Sequence, residues 1–308
     1  MPQSARDKLK LKHLDEINQF NQNFASAKKS LDQKGISLSK LREHSNKIIA
    51  AGALASALAL APPQGDHLLP PPKEIIEKVT RSSSSLPVET NAVVLRKVLS
   101  QVLPEEPRAL TEHEEKTLEQ VILETTGVKA KANLEGEHLN TTYGLIGAEQ
   151  HLRRYPGDTL AQHKPDADEY GGERVDEIIE EGITPGLGAW GYFAPSKEAF
   201  TPDLEETERW YAVVQTLYLP DWEKRQPYLK DWYKYRKVLI VNTENGKAVI
   251  ASVADSGPAA FTGKQFGGSP EVMDYLGGQS YKKGAVLVFF VDDPNNEVSL
   301  GPVDYNKI

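Results

Sequence analysis

Two runs of β-branched residues near the C-terminal end carry the clearest pattern of the chain. Val238 to Val241 and Ala248 to Val253 flank Asn245-Gly246, a dipeptide typical of the tight turn of a β-hairpin. The run from Gly284 to Val291 is apolar at almost every position, which predicts a strand buried on both faces. The second hairpin strand leads into Asp255-Ser256-Gly257-Pro258. Because Gly and Pro do not favour a continuing ladder, we expect Asp255 where the strand becomes a loop.

Helical signals lie on both sides of this hairpin. After it, Ser269 can cap a short helix whose first position suits Pro270, and Gly277-Gly278 ends it. Before it, Thr111-Glu-His-Glu114 has the form of a capping box and predicts a helix that ends ahead of Gly127. The chain therefore combines helices with a C-terminal group of strands.

The first 63 residues contain a basic tail and an apolar run. Residues 1–47 carry ten Lys or Arg against five Asp or Glu, with an apolar residue every three to four positions, which predicts a helical tail. Ile48 to Ala61 is uncharged, and as a helix it would rise about 21 Å, short of the roughly 30 Å hydrocarbon core. This length suits a signal peptide, while a signal anchor and a buried helix remain alternatives. We expect an extracytoplasmic protein, either secreted or anchored in a membrane.

Composition narrows the functional classes. A net charge of −8 argues against non-specific binding to nucleic acid. The absence of cysteine excludes disulfides, zinc–thiolate sites and thiol nucleophiles. One group of residue types suits a metal, but its spacing matches no metal motif, so we expect no metal and no cofactor. Its members are His138, His151 and His163 with Glu149 and Asp158.

Several short motifs lie within roughly residues 185–293. They are Val241-Asn242, Asn245-Gly246-Lys247, Asp255-Ser256-Gly257-Pro258, Gly263-Lys264, Ser269, Gly188-Ala-Trp-Gly-Tyr192, Ser196-Lys-Glu-Ala-Phe200, and Thr216-Leu217 with Pro220. In these motifs the C-terminal third resembles the rare-lipoprotein-A-like family of double-psi β-barrels, secreted proteins that act on or bind peptidoglycan. The resemblance implies a location in the bacterial cell envelope. The fold it implies is α+β, with a mainly helical N-terminal half followed by a C-terminal double-psi-type β-barrel.

Five segments follow from these patterns. They are a basic helical tail (1–47), a signal peptide or signal anchor (48–63), a helical spacer (64–127), a polar segment that packs on the barrel (128–184) and the barrel domain (185–308).

The resemblance implies two catalytic carboxylates. Asp255 matches an acid of the family's catalytic site, and Glu198 matches the acid of its Ser-Gly-Glu-x-Phe loop. Two carboxyl groups on either side of a sugar can divide the acid and base roles in cleaving a glycosidic bond. The residues alone leave another interpretation open, in which Asp255 caps its own loop by accepting backbone N–H groups and Glu198 is solvated.

The chain departs from the family pattern at three positions. Val214 stands where the family has His, Ser256 where it has Arg, and Gly267 where it has a further Asp. A guanidinium that could hold a carboxylate or a substrate is therefore missing. These departures favour binding over turnover.

Aromatic residues suggest where a glycan would lie. Half of the 24 aromatic residues, including all four Trp, fall between Trp190 and Tyr235. Flat aromatic faces can stack on the C–H faces of sugars, although aromatics also fill ordinary cores. We expect Trp190, Tyr192, Trp222 and Trp232, together with Ser256, to contact substrate, with Trp222 and Trp232 the more exposed.

The predicted function is that of a cell-envelope protein whose barrel binds peptidoglycan or a related glycan, with weak turnover or none. One alternative is lytic transglycosylase-like cleavage of the glycan strand by Asp255 and Glu198. Another is a structural scaffold of the envelope or division machinery. The predicted partners are a polysaccharide and, through residues 48–63, a membrane; no nucleic acid is expected.

Overall fold

A computed structural model describes residues 71–81, 91–159, 163 and 186–305. These residues all belong to one compact unit, Gly65–Ile308. The segments predicted for residues 1–47 and 48–63 lie outside the described residues. In the described ranges, no helix has both the length and the apolar character needed to cross a membrane.

The described residues form six α-helices and ten strands. The helices are α1 (Pro72–Arg81), α2 (Asn91–Val102), α3 (Glu112–Thr126), α4 (Pro202–Arg209), α5 (Trp222–Tyr233) and α6 (Pro270–Gly277). The strands are β1 (Ala130–Lys131), β2 (Asn133–Leu134), β3 (Glu137–His138), β4 (Tyr143–Ala148), β5 (Tyr211–Val214), β6 (Lys237–Asn242), β7 (Ala248–Ser256), β8 (Phe266–Gly268), β9 (Lys283–Val291) and β10 (Gly301–Pro302).

Six of the strands close into a barrel, so a closed barrel in the C-terminal part, accompanied by helices, is confirmed. Around the ring the order is β6, β9, β4, β8, β5, β7 and back to β6. The β4–β8 and β5–β7 pairs are parallel, and the other four pairs are antiparallel. When β4, β5 and β6 are exchanged with β7, β8 and β9, in that order, every strand pair maps onto a pair of the same direction. The strand topology therefore has an internal twofold symmetry.

The predicted start of the barrel domain at residue 185 is wrong, because the barrel includes strand β4. This strand belongs to the barrel, although it lies in the segment 128–184 that was expected only to pack against it. The glycines of β4 are typical of a loop sequence, but here they allow side chains from another segment to pack closely against the strand. A Cβ on Gly144 would lie 2.8 Å from the Cβ of Gln265, and one on Gly147 would lie 2.2 Å from the Cδ of Lys264. Glycine inside a strand here marks the close approach of other side chains.

The local signals around the hairpin are confirmed. β6 and β7 pair antiparallel up to Val241 and Ala248, on either side of Asn245-Gly246. Gly246 has a φ of 75°, and a Cβ there would lie 2.0 Å from the carbonyl oxygen of Ala92 in α2. Only glycine fits this turn, which lies directly against the helix. The hydroxyl of Ser269 accepts the N–H of Val272 and caps α6 as expected.

The helices before the barrel form a layer on its outside, rather than the spacer predicted for residues 64–127. One apolar core joins helix residues to outward-facing strand residues. Its largest fully buried side chains include Leu95, Leu99, Leu118, Ile122, Leu239 and Phe289. The capping box of Thr111 and Glu114 and the left-handed Gly127 (φ 70°) fix the two ends of α3, as predicted.

Candidate functional site

The four strands β4, β8, β5 and β7 lie side by side and carry the candidate site. Their pairing places Gly147 beside Gly267, Gly267 beside Val213, and Val213 beside Asp255. Paired residues of neighbouring strands point to the same face of a sheet. These four residues therefore form one row that ends at Asp255.

This row lies on the outer face of the barrel. Ala212 and Val214 belong to the core cluster that fills the barrel. Val213, which lies between them, points the other way and packs with Tyr211 and Ala254 in a separate cluster. The glycines in the row leave space on the outer face for side chains from neighbouring segments.

Asp255 has one anchored oxygen and one free oxygen. Its Oδ1 accepts the N–H groups of Ser256 and Ala189, each at 2.8 Å. No described residue donates a hydrogen bond to Oδ2. Burial raises the pKa of Asp255, and the two N–H groups oppose this only in part. The Asp255 carboxyl lies at the end of β7, as predicted. Its Oδ1 holds the loop that contains Ala189, and its raised pKa favours the protonated form.

Glu149 is the second carboxylate of the site, and the sequence did not point to this role. It follows β4, and its side chain fills the space above Gly267, where a Cβ would lie 2.5 Å from its Cγ and Oε1. The Nζ of Lys264 lies 3.5 Å from its Oε1. Burial raises the pKa of Glu149, the charge of Lys264 lowers it, and the charge of Asp255 raises it further. The two carboxylates therefore interact electrostatically.

Glu198 is placed differently from the expectation. It lies exposed in its loop, where a hydrogen bond with Ser196 lowers its pKa. Among the described residues, no hydrogen bond or ion pair joins Glu198 to Asp255. The carboxylate whose pKa responds to the charge of Asp255 is Glu149. Gly267 was the available signal, since the space above a glycine in a strand can be filled by a side chain from an adjacent segment.

The expectation that Trp222 and Trp232 are the more exposed aromatics is wrong. Their relative exposures are 9% and 8%, and both pack in the core cluster of the barrel. The Trp232 ring meets Phe290 edge-on at 5.0 Å. The charged residues between the two Trp suggested a solvent-exposed segment. In the structure the two Trp lie near opposite ends of α5, and both side chains are buried. Trp190 is half-buried and donates its Nε1–H to the carbonyl of Lys230, while Tyr192 is exposed.

Exposed apolar side chains nevertheless lie on the segments that hydrogen bonds connect to Asp255 and Ser256. They come from the segment held by Asp255 through Ala189, from the turn after β5 and from the loop after β7. They are Leu187 (56% exposed), Tyr192 (36%), Leu217 (59%), Tyr218 (44%) and Phe261 (92%). The turn and the loop are joined, because the N–H of Ala260 donates to the hydroxyl of Tyr218 at 3.0 Å.

Ser256 supports this loop. Its hydroxyl lies 2.5 Å from that of Thr216, which ties the end of β7 to the turn after β5. The side chain of Gln215 donates to the carbonyl oxygens of Pro258 and Lys264, at 3.0 and 3.1 Å. The loop that carries Phe261 is thus closed by hydrogen bonds at both ends.

A second polar cluster is buried nearby. His151 Nδ1 lies 3.2 Å from Glu208 Oε1, and His163 Nε2 lies 2.7 Å from Asp158 Oδ2. Burial disfavours the charged imidazole of His151, but the charges of Glu271 and Glu208 outweigh this and raise its pKa to about 9. His151, His163 and Asp158 from the predicted metal-type group thus come together with these two acids.

The rest of that predicted group lies elsewhere. His138 Nε2 contacts Glu115 at 3.0 Å. Glu149 pairs with Lys264 at the candidate site.

No protein-family model, no curated protein and no solved structure matches the chain.

The raised pKa of Asp255 predicts a pH-dependent stability. An aspartate in an unfolded chain titrates near 3.9, whereas folded Asp255 keeps its proton to higher pH. Its contribution to stability is therefore greatest at acidic pH and falls as pH rises through the folded pKa. We expect Asp255→Asn to unfold at higher denaturant concentration than the wild type at pH 7, with the gain shrinking towards pH 4. A gain that grows on acidification would contradict this assignment.

Proposed function

We propose that this protein is a cell-envelope protein whose double-psi-type barrel binds a glycan strand, of peptidoglycan or a related polysaccharide, across the outer face at Asp255. The internal twofold symmetry of the strand pairing, with two symmetry-related parallel pairs, supports the double-psi type. The apolar run at residues 48–63 supports export.

The observation that carries this proposal is the setting of Asp255. Its free Oδ2 can meet a hydroxyl or a glycosidic oxygen, while exposed aromatic and aliphatic side chains stand on the segments that adjoin it. Sugar rings combine apolar C–H faces with polar edges, so a site for them needs both kinds of surface. Tyr218, Phe261 and Tyr192 replace the buried Trp222 and Trp232 as stacking candidates.

Lytic cleavage of the strand is a second candidate, favoured by the raised pKa of Asp255. In this reaction Asp255 gives its proton to the glycosidic oxygen as the bond to the anomeric carbon breaks. A hydroxyl of the same sugar then attacks that carbon to close an anhydro ring, and its proton returns to the Asp255 carboxylate. In this proposal the carboxylate of Glu149 supplies a negative charge that stabilises the positive charge developing on the sugar. A raised pKa is what such an acid needs near neutral pH.

Calorimetric titration of the full chain with solubilised glycan strands tests the binding site. We expect Phe261→Ala to weaken binding roughly 2- to 12-fold, the equivalent of about 0.5–1.5 kcal/mol for one aromatic contact. Leu123→Ala removes an exposed apolar side chain from α3 (43% exposed) and serves as the matched control, with unchanged affinity. No measurable binding, or equal weakening by both variants, would contradict the proposed surface.

A further inference from the structure

The buried cluster beside the candidate site gathers four metal-ligand side chains. His151 and His163 come from the chain after β4, Glu208 from α4, and Glu271 from the first turn of α6. Their side chains are 3%, 1%, 4% and 10% exposed. Three segments distant in sequence thus converge on one enclosed point.

The spacing of these groups fits a small metal ion. One ligand atom from each of His151, His163 and Glu208 lies within 4.8 Å of the others. Glu208 lies between the two rings, with its Oε1 3.2 Å from His151 Nδ1 and its Oε2 3.4 Å from His163 Nδ1. Ligands about 2.1 Å from a tetrahedral ion are separated by roughly 3.4 Å. The two distances from Glu208 to the histidine rings match this separation.

Three atoms of the cluster are buried without a hydrogen bond. They are His151 Nε2, His163 Nδ1 and Glu271 Oε2. A buried polar atom left in this way costs on the order of 1–3 kcal/mol, so proteins seldom keep several together. Each of these atoms has a lone pair in at least one protonation state, and a metal cation placed among them would be coordinated by these lone pairs.

His163 is also oriented in the way that metal-bound histidines are. Its Nε2 lies 2.7 Å from Asp158 Oδ2, which fixes Nδ1 as the nitrogen that faces Glu208. Asp158 is itself held by Arg154, through Nε at 3.2 Å and Nη2 at 3.1 Å. A carboxylate behind a histidine fixes its tautomer and makes it a better ligand.

The charges leave room for a divalent cation. Glu208, Glu271 and Asp158 carry three carboxylates; the guanidinium of Arg154 bonds to Asp158, and the charge of Arg209 also acts on Glu271. With neutral imidazoles, which metal binding requires, the acids still outnumber these cations. A metal cation or protons can neutralise the excess negative charge, and the unbonded nitrogens favour the ion.

We propose that His151, His163, Glu208 and Glu271 bind one divalent transition-metal ion of the Zn²⁺ class. The site is enclosed, and its role is structural. The ion joins the segment that follows β4 to α4 and α6. Leu152, the residue after His151, donates its N–H to Glu208 at 3.0 Å and packs with Tyr211 and Val213 behind the candidate glycan site. The ion therefore supports the segment that packs behind this site.

Metal titration of the untagged full chain tests the proposal. After treatment with a chelator and its removal, Zn²⁺ is added in competition with a chromophoric indicator. We expect one equivalent to bind and the melting temperature to rise. His163→Ala and Glu208→Gln should each weaken binding at least 100-fold, and Asp158→Asn about 10- to 100-fold. His138→Ala removes a histidine that pairs with Glu115 outside the cluster and should leave the affinity unchanged.

Two results would overturn the proposal. One is the absence of saturable binding of one equivalent, with no change in melting temperature. The other is equal affinity in the wild type and His163→Ala. If the variants fail to fold, Co²⁺ added to the stripped wild-type chain replaces them as the test. Visible absorption bands of a tetrahedral Co²⁺ site are expected, and their absence would equally overturn it.

Discussion

Phe289→Ala is expected to lower the free energy of unfolding by about 3–5 kcal/mol, the usual effect of truncating a fully buried phenylalanine. Phe289 is 0% exposed and lies in the core cluster shared by β9 and the helical layer. Removing its ring leaves a cavity between the barrel and α2 and α3, which cannot close without moving both. Denaturant unfolding of the full chain measures the change.

Phe261→Ala is the matched control, because the same side chain is 92% exposed there. We expect its free energy of unfolding to stay within about 0.5 kcal/mol of the wild type, even though it weakens glycan binding. A loss below 1 kcal/mol in Phe289→Ala would show that the helices do not pack on the barrel as described.

Asp255→Asn is expected to reduce any cleavage of glycan strands by about 10²- to 10⁴-fold, the usual contribution of a general acid–base group. The amide oxygen of Asn can still accept the N–H groups of Ser256 and Ala189, so the loop and the affinity for glycan should persist. The rate of anhydro-product formation at saturating substrate measures the effect. An unchanged rate would remove Asp255 from the chemistry.

The second carboxylate can be identified by a paired comparison. We expect Glu149→Gln to lower the rate more than Glu198→Gln, because the charge of Asp255 reaches Glu149 while no described contact joins it to Glu198. The opposite order would restore the pairing inferred from the sequence.

The parts of the fold that depend on local signals could be predicted. The β6–β7 hairpin follows from Asn245-Gly246, and the caps of α3 and α6 follow from Thr111 and Ser269, because each of these features is fixed within a few residues. The identity of β4 could not be predicted. Its glycines make room for Lys264 and Gln265, which lie far along the chain.

The sites were predicted less well, because they depend on long-range pairing. Glu149 enters the row that ends at Asp255 through the parallel pairing of β4 with β8, which places it over Gly267. In the same way, the spacing of His151 and His163 matches no metal motif because Glu208 and Glu271 come from separate helices. The two Trp of α5 were misjudged since exposure depends on which side of the helix meets the barrel.

Incubation of the purified full chain with isolated peptidoglycan sacculi tests the central claim most directly. Sedimentation reports binding, and mass spectrometry of the soluble fraction reports anhydro-muropeptides. We expect the protein to sediment with the sacculi and Phe261→Ala to sediment less. Anhydro products that are lost in Asp255→Asn would add cleavage to binding. A protein that stays in solution and releases no products would contradict the assignment to peptidoglycan.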